Sequence, residues 1–177
     1  MALSPGSRAP GFDLPGVDGT QHALDEFRDR KVVVVVFSCN HCPYVKAYED
    51  RTITTQKDYA NRGVAFVVIS ANDARQYPDD SFENMVKRAK EKGYNFPYLY
   101  DESQEVARAY GAERTPEFFV LDDQRVIRYH GRLDDNVEEP EKARAHYLRD
   151  ALDAVLAGKP VATADTPPVG CTIKWKS

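Results

Sequence analysis

The stretch that decides the fold is Val32–Pro43, which reads Val-Val-Val-Val-Val-Phe-Ser-Cys-Asn-His-Cys-Pro. Its β-branched first half predicts a strand that is buried on both faces. The strand ends at two cysteines separated by two residues, Cys39 and Cys42, and a helix-compatible segment follows. Unpaired N–H groups and the helix dipole at a helix N-terminus favour a thiolate, so we expect a lowered pKa for Cys39. The pattern outlines a redox site.

Length and charge limit the possible classes of protein. The chain has 177 residues, enough for one domain with a substantial core, and we expect a core over about 8–158 and a tail over 159–177. The net charge of −4 argues against nucleic acid or an anionic membrane surface as the main partner. No secretory signal and no apolar run of membrane-spanning length is visible. We therefore expect a cytoplasmic protein.

Cysteine usage gives a second constraint. Three cysteines do not make a disulfide scaffold, and in a reducing cytosol a single Cys-x-x-Cys is more often catalytic or metal-binding than structural. A zinc or copper site formed by the two cysteines, with His41 as a further ligand, therefore stays open beside the redox interpretation.

The order of predicted elements indicates the fold class. A hairpin turning at Asp18-Gly19 precedes the valine strand, and strands and helices alternate after it until an antiparallel strand pair and a last helix near 141–157. The segment Thr52–Thr55 has poor helix propensity, which predicts a break in the helix after Cys42. This order predicts an α/β fold with a central mixed sheet covered on both faces and an extended C-terminal tail.

Three segments resemble the thioredoxin superfamily, and more closely its redoxin or peroxiredoxin-like branch, related to AhpC/TSA proteins. They are Phe37–Lys46, the loop 72–81 and Arg114–Phe118, and the Gly-Cys segment 170–175 is similar to the end of many relatives. The resemblance covers nearly the whole chain. It implies a thioredoxin-like fold with an N-terminal β-hairpin and the activity of a thiol–disulfide oxidoreductase.

The resemblance also implies roles for the residues around the dithiol. Cys39 would be the nucleophile and Cys42 the resolving thiol, with an imidazolium at His41 that stabilises the thiolate. Ser38 and Asn40, which flank Cys39, would contact the substrate. No cofactor is expected.

Pro116 occupies the position where thioredoxin-like proteins hold a cis-proline that faces the dithiol. Only an X-Pro bond becomes cis at low cost, although an ordinary trans proline is the alternative. Thr115, the residue before it, would pair through its backbone with a substrate peptide.

Two departures from the family pattern limit the inference. Ser38 stands where thioredoxins have Trp, and Val32–Val36 contains no acid to accept the Cys42 proton. Lys46 and Glu49 are expected on a solvated face. Peroxiredoxins activate their cysteine with a hydroxyl residue three positions before it and a Pro further upstream. If Cys42 is matched to that cysteine, Cys39 stands at the hydroxyl position and Val35 at the Pro position. Peroxide reduction is therefore ranked below disulfide exchange. Arg114 is a candidate for the peroxide-site arginine, although a surface ion pair is favoured.

The tail carries the third cysteine, Cys171, and the only Trp, Trp175. Either residue could cover the dithiol, with Trp175 replacing the missing active-site Trp. The alternative, which we favour, packs the tail elsewhere with an inert Cys171.

These features predict a thiol–disulfide oxidoreductase that acts on a protein or small-molecule disulfide. A thiol reductant such as a thioredoxin or glutathione system would regenerate the dithiol. A thiol-dependent peroxidase with an antioxidant role and a metal-binding module are the alternatives.

Overall fold

The computed structural model describes residues 1–177, which form nine strands and four helices. The strands are β1 (Asp13–Pro15), β2 (Gln21–Ala23), β3 (Val32–Ser38), β4 (Val64–Ser70), β5 (Tyr98–Tyr100), β6 (Arg114–Thr115), β7 (Glu117–Leu121), β8 (Ile127–Gly131) and β9 (Cys171–Thr172). The helices are α1 (Pro43–Tyr59), α2 (Phe82–Lys92), α3 (Glu105–Tyr110) and α4 (Tyr147–Leu156).

The central sheet has five strands in the order β5-β4-β3-β7-β8. Strands β3, β4 and β5 are parallel, whereas β7 runs antiparallel to both β3 and β8. The predicted α/β fold with a mixed sheet flanked by helices is therefore confirmed. Strands β1 and β2 form the predicted hairpin, and its Gly19 turns with a φ of +83°. The organisation as one domain stays a prediction.

Strand β3 lies at the centre of the sheet and supplies both hydrophobic cores. Val32, Val34 and Val36 pack with residues of α1, α2 and α4. The alternate positions, Val33, Val35 and Phe37, pack with residues of α3 and of the N-terminal segment. A strand that is covered on both faces has no solvent-facing positions, so polar residues do not alternate with apolar ones along it. This explains the unbroken valine run.

Two helices differ from their predicted bounds. Helix α1 continues without a break through its threonine-rich middle: Thr52 and Thr55 are buried, and their hydroxyls are satisfied by donating to the carbonyls of Tyr48 and Arg51 one turn earlier. Helix α4 begins at Tyr147, after a short 3₁₀ turn over Pro140–Lys142. None of the helices combines the length and the apolar character that crossing a membrane requires.

The C-terminal tail returns to the middle of the fold. Strand β9 pairs antiparallel with β6, and Cys171 stands opposite Thr115. Ile173 is buried in the core that contains α3, and its N–H donates to the carbonyl of Glu113 at 2.9 Å. The tail is therefore a packed part of the structure.

Candidate active site

Both cysteines of the Cys-x-x-Cys lie in the short link between β3 and α1. Helix α1 begins at Pro43, so Cys42 is its N-cap residue and Cys39 lies three residues further upstream. Both are free thiols with only 1% of their surface exposed. Because the helix starts after the second cysteine, Cys42 rather than Cys39 is the thiol at the helix N-terminus, contrary to the placement on which the lowered pKa expected for Cys39 depends.

Thr115 contacts both sulfurs. The Sγ of Cys42 is 3.5 Å from the carbonyl oxygen of Thr115, and the Sγ of Cys39 is 3.6 Å from its Oγ1. The Thr115–Pro116 peptide bond is cis. The structure thus brings together four of the predicted site residues, contributed by segments more than seventy residues apart in sequence.

The electrostatic environment separates the two thiols in the opposite sense to the prediction. Interaction with Cys42, burial and the charge of Asp80 raise the pKa of Cys39. The interaction with Cys39 lowers the pKa of Cys42, against the effect of burial, and contacts with Cys171 and the backbone of Val45 lower it further. The lower pKa of the two thus falls at Cys42, the N-cap residue of α1 that receives these donors.

Asp80 is a buried acid beside the dithiol that no local sequence pattern indicates. Its carboxylate is wholly buried and accepts hydrogen bonds from the Asn40 N–H at 2.8 Å and the Asn72 side-chain amide at 2.9 Å. The Nδ1 of His41 lies 2.7 Å from its Oδ2, outside the angular range of a hydrogen bond. Asp80 belongs to the loop 72–81, so the resemblance of that loop to the family was the only signal that could have identified it.

Ser38 and Asn40 are placed differently from the substrate-contacting role predicted for them. The Asn40 side chain is buried; it donates to the carbonyl of Asp79 at 2.9 Å and accepts from the Tyr98 hydroxyl at 2.8 Å. Ser38 is also buried and lines a small cavity beside Pro116. These contacts make Asn40 part of the scaffold that fixes the loop around Cys39.

Glu49 corrects a second expectation, because it is not on a solvated face. Its carboxylate is buried and forms an ion pair with Arg88 of α2, and the Tyr94 hydroxyl donates to it. Lys46 is exposed, as predicted. A carboxylate already paired with a guanidinium is a poor proton acceptor for the dithiol, so Glu49 ties α1 to α2 instead.

The two tail residues lie in different places. Cys171 packs against the cluster formed by Cys39, Cys42 and Val45, so the favoured interpretation that it packs elsewhere is wrong. Trp175 packs against the core on the α3 side, with the guanidinium of Arg108 4.4 Å from its ring centroid, and does not replace an active-site Trp.

Arg114 is exposed and donates to the carbonyl of Gly170 at 3.3 Å, so its contact is with the tail rather than with an acid.

The residues that could hold a metal ion are not the predicted set of the two cysteines and His41. Donor atoms of Cys39, His41 and Asp80 all lie within 4.8 Å of one another. A sulfur, an imidazole nitrogen and a carboxylate are ligands that zinc accepts, although two amide donors already occupy the carboxylate.

Comparison with known proteins agrees with this geometry. Over 126 residues the chain is 29% identical to a candidate peroxiredoxin of Mycobacterium tuberculosis (strain CDC 1551 / Oshkosh), covering 71% of this chain and 75% of that protein. Over 123 residues it is 26% identical to the thiol-disulfide oxidoreductase ResA of Geobacillus thermodenitrificans (strain NG80-2), covering 68% of this chain and 65% of that protein.

Solved structures extend the likeness to the whole chain. The crystal structure of an uncharacterized conserved protein from Geobacillus kaustophilus superposes with a TM-score of 0.92 at 45% identity, covering 99% of this chain and 94% of that one. The thioredoxin domain of a thiol-disulfide oxidoreductase from Bacteroides vulgatus has a TM-score of 0.62 at 19% identity, covering 71% and 86%, and shows the thioredoxin-like fold alone. The family model described as Redoxin matches residues 4–147, and the chain belongs to the Redoxin family.

Proposed function

We propose that the protein is a thiol–disulfide oxidoreductase whose redox pair is Cys39 and Cys42. The observation that carries the proposal is the placement of two free thiols against Thr115 at the N-terminus of α1. A helix N-terminus activates a thiol, and a second thiol within contact resolves a mixed disulfide. The relatives named thiol-disulfide oxidoreductase and peroxiredoxin support the same chemistry.

In the proposed reaction the Cys42 thiolate attacks a disulfide and forms a mixed disulfide with one of its sulfurs. Cys39 then attacks the Sγ of Cys42, which releases the second substrate thiol and leaves a Cys39–Cys42 disulfide. Cys39 must lose its proton for this step, and donor atoms of His41 and Asp80 lie within 4.8 Å of its sulfur. This assignment exchanges the roles first expected for the two cysteines, because the pKa of Cys42 is the lowered one.

The substrates proposed are protein or small-molecule disulfides, and no cofactor takes part. A thiol reductant such as a thioredoxin or glutathione system would regenerate the dithiol. A cytoplasmic location belongs to the same proposal, since these systems keep thiols reduced there.

The test is a redox titration in glutathione buffers, with the thiols alkylated in acid and counted by mass spectrometry. We expect the Cys171→Ser variant, which retains only the pair, to form a reversible Cys39–Cys42 disulfide. Its potential should lie between those of thioredoxin, about −270 mV, and DsbA, about −120 mV. Reduction of a small disulfide by a thiol donor should disappear in Cys42→Ser. If Cys171→Ser forms no reversible disulfide, the proposal is wrong.

Peroxide reduction is the second candidate, and burial of the dithiol favours it. With 1% of each cysteine exposed, a small oxidant reaches the sulfurs more readily than a folded protein does. Consumption of hydrogen peroxide at catalytic rates with a thiol donor would support this function. Zinc at one equivalent per chain in the purified protein would instead support the metal-binding alternative, with Cys39, His41 and Asp80 as its ligands.

A further inference from the structure

The chain's own C-terminal strand occupies the backbone edge at which a substrate peptide would pair. Strand β9 runs antiparallel to β6, and the register places Cys171 opposite Thr115. A peptide that adds a strand to an exposed edge is bound by the same main-chain hydrogen bonds. The tail therefore sits where a substrate would, and it places a cysteine beside the dithiol.

The close approach of the tail depends on a glycine. A Cβ built on Gly170 would lie 2.0 Å from the carbonyl oxygen of Thr115 and 2.6 Å from its carbonyl carbon. Real Cβ atoms do not come that close to backbone atoms, so only glycine permits this contact.

After β9, the backbone of the tail is held at Lys174 by hydrogen bonds to two other segments of the chain. The N–H of Lys174 donates to the side-chain oxygen of Asn72 at 2.9 Å, and its carbonyl accepts from the N–H of Asp73 at 2.8 Å. Gln104 donates to the same carbonyl at 3.0 Å. The strand is thus held in register against the active site.

Cys42 is the central sulfur of three. Its side chain interacts with those of both Cys39 and Cys171. Cys171 is partly exposed, whereas the two cysteines of the pair are buried. A thiol that touches one sulfur of a disulfide and also reaches solvent is placed for exchange with that disulfide.

We propose that Cys171 is the third thiol of the redox centre and forms a disulfide with Cys42. In the oxidised protein the Cys171 thiolate attacks the Sγ of Cys42, the Cys39–Cys42 bond breaks and the Cys42–Cys171 bond forms. Cys39 leaves as a thiolate and takes up the proton that Cys171 has lost. The exchange is internal, so no further oxidant or reductant is needed. The inference rests on the proposed function, which supplies the Cys39–Cys42 disulfide.

Oxidation of Cys42 removes a cause that raises the pKa of Cys171. In the reduced protein, burial and then the interaction and negative charge of Cys42 raise the pKa of Cys171, while Lys174 and Arg114 lower it. When Cys42 is bound in a disulfide it carries no negative charge, so its part of the increase is removed, while the effects of burial and of the two cations remain. Oxidation of the pair therefore activates the third thiol.

The experiment maps disulfides in the full chain after equilibration with oxidised and reduced glutathione. Cys39 and Cys42 fall in one tryptic peptide, residues 32–46, and Cys171 falls in another, 150–174. A Cys42–Cys171 bond links the two peptides, whereas a Cys39–Cys42 bond links none. We expect linked peptides from the wild type and from Cys39→Ser, and their loss in Cys42→Ser and Cys171→Ser.

Gly170→Ala provides an independent test in which all three thiols remain. Displacing the tail should lower the linked fraction by about tenfold, because the effective concentration of Cys171 at Cys42 falls. Gly11→Ala is the matched control, since a Cβ at Gly11 meets nothing within 4 Å. The inference is overturned if wild type and Cys39→Ser yield no linked peptides while Cys171→Ser still forms the Cys39–Cys42 disulfide. Loss of that disulfide in Cys171→Ser would instead overturn the proposed function.

Discussion

Asp80 Oδ2 lies 2.7 Å from Nδ1 of His41, and this carboxylate is wholly buried next to the redox pair. Its charge also opposes a thiolate at Cys39. A buried negative charge beside the two sulfurs disfavours a thiolate on either of them, so it stabilises the disulfide relative to the reduced pair. The Asp80 carboxylate thus counteracts the activation that the helix gives to Cys42.

Removing the charge of Asp80 should make the pair more oxidising. In Asp80→Asn we expect the reduction potential of the Cys39–Cys42 disulfide to rise by on the order of 30 mV, a tenfold change in the equilibrium with glutathione. The same variant keeps only one acceptor oxygen for two donors, the Asn40 N–H and the Asn72 amide, which should lower the free energy of unfolding by about 1–3 kcal/mol. Glutathione titration and urea denaturation measure the two effects.

Asp79→Asn is the control, because Asp79 is the exposed neighbour of Asp80. It removes the same formal charge in solvent, where screening weakens its effect. Equal shifts of potential in both variants would contradict a specific role for the buried carboxylate.

The thiolate of the reduced protein should belong to Cys42. Its absorbance in the ultraviolet should persist well below the ordinary thiol pKa of about 8.5 and disappear in Cys42→Ser. Since Cys39 contributes more than Cys171 to lowering this pKa, Cys39→Ala should raise it more than Cys171→Ala does. A titration in which Cys42→Ser keeps the low-pKa thiolate would place the charge on Cys39 instead.

His130 should make the stability of the protein depend on pH. Its Nε2 lies 2.6 Å from Glu117 and its Nδ1 lies 2.7 Å from Asp165, while the other oxygen of Glu117 accepts from the N–H groups of Glu113 and Arg114. Burial acts to lower the pKa of His130, but the bonds to the two carboxylates outweigh it, and the pKa is raised above 6.5. The ion pair thus supports the segment that leads to Thr115.

A raised pKa in the folded state means that protonated His130 stabilises the fold fully below about pH 6.5, and that this contribution is lost as the pH rises through the folded pKa. The difference in unfolding free energy between wild type and His130→Gln should therefore shrink above pH 6.5, by up to about 1.4 kcal/mol per pH unit. His146→Gln, at an exposed histidine, is the control and should follow the wild-type slope. Parallel curves for wild type and His130→Gln would count against the prediction.

Local sequence was sufficient for the features that depend on local interactions. The valine run identified β3 because a strand buried on both faces needs apolar residues at consecutive positions. The two cysteines that follow it indicated the proposed redox pair by their spacing and by the helix after them. The same reasoning assigned the effect of the helix N-terminus to Cys39, whereas α1 begins at Pro43 and has Cys42 as its N-cap residue.

The remaining parts of the site depend on contacts between distant segments. Asp80 sits in a polar loop with Asp79 beside it, and only its partners Asn40 and Asn72 distinguish the buried acid from the exposed one. Cys171 reaches the dithiol through a two-residue pairing with β6, which has no periodic pattern to detect. Glu49 is buried because Arg88 and Tyr94 meet it from other elements.

The pairing of β9 with β6 also sets an order of events during protein synthesis. A ribosome completes Cys39 and Cys42 long before it reaches Cys171, and nascent chains fold from the N-terminal end as they emerge. Until residues 171–172 have left the exit tunnel, the edge beside Thr115 has no covering strand, and Cys39 and Cys42 lack the contact with Cys171. Closure of this edge therefore waits for the synthesis of a segment more than 120 residues downstream of the dithiol.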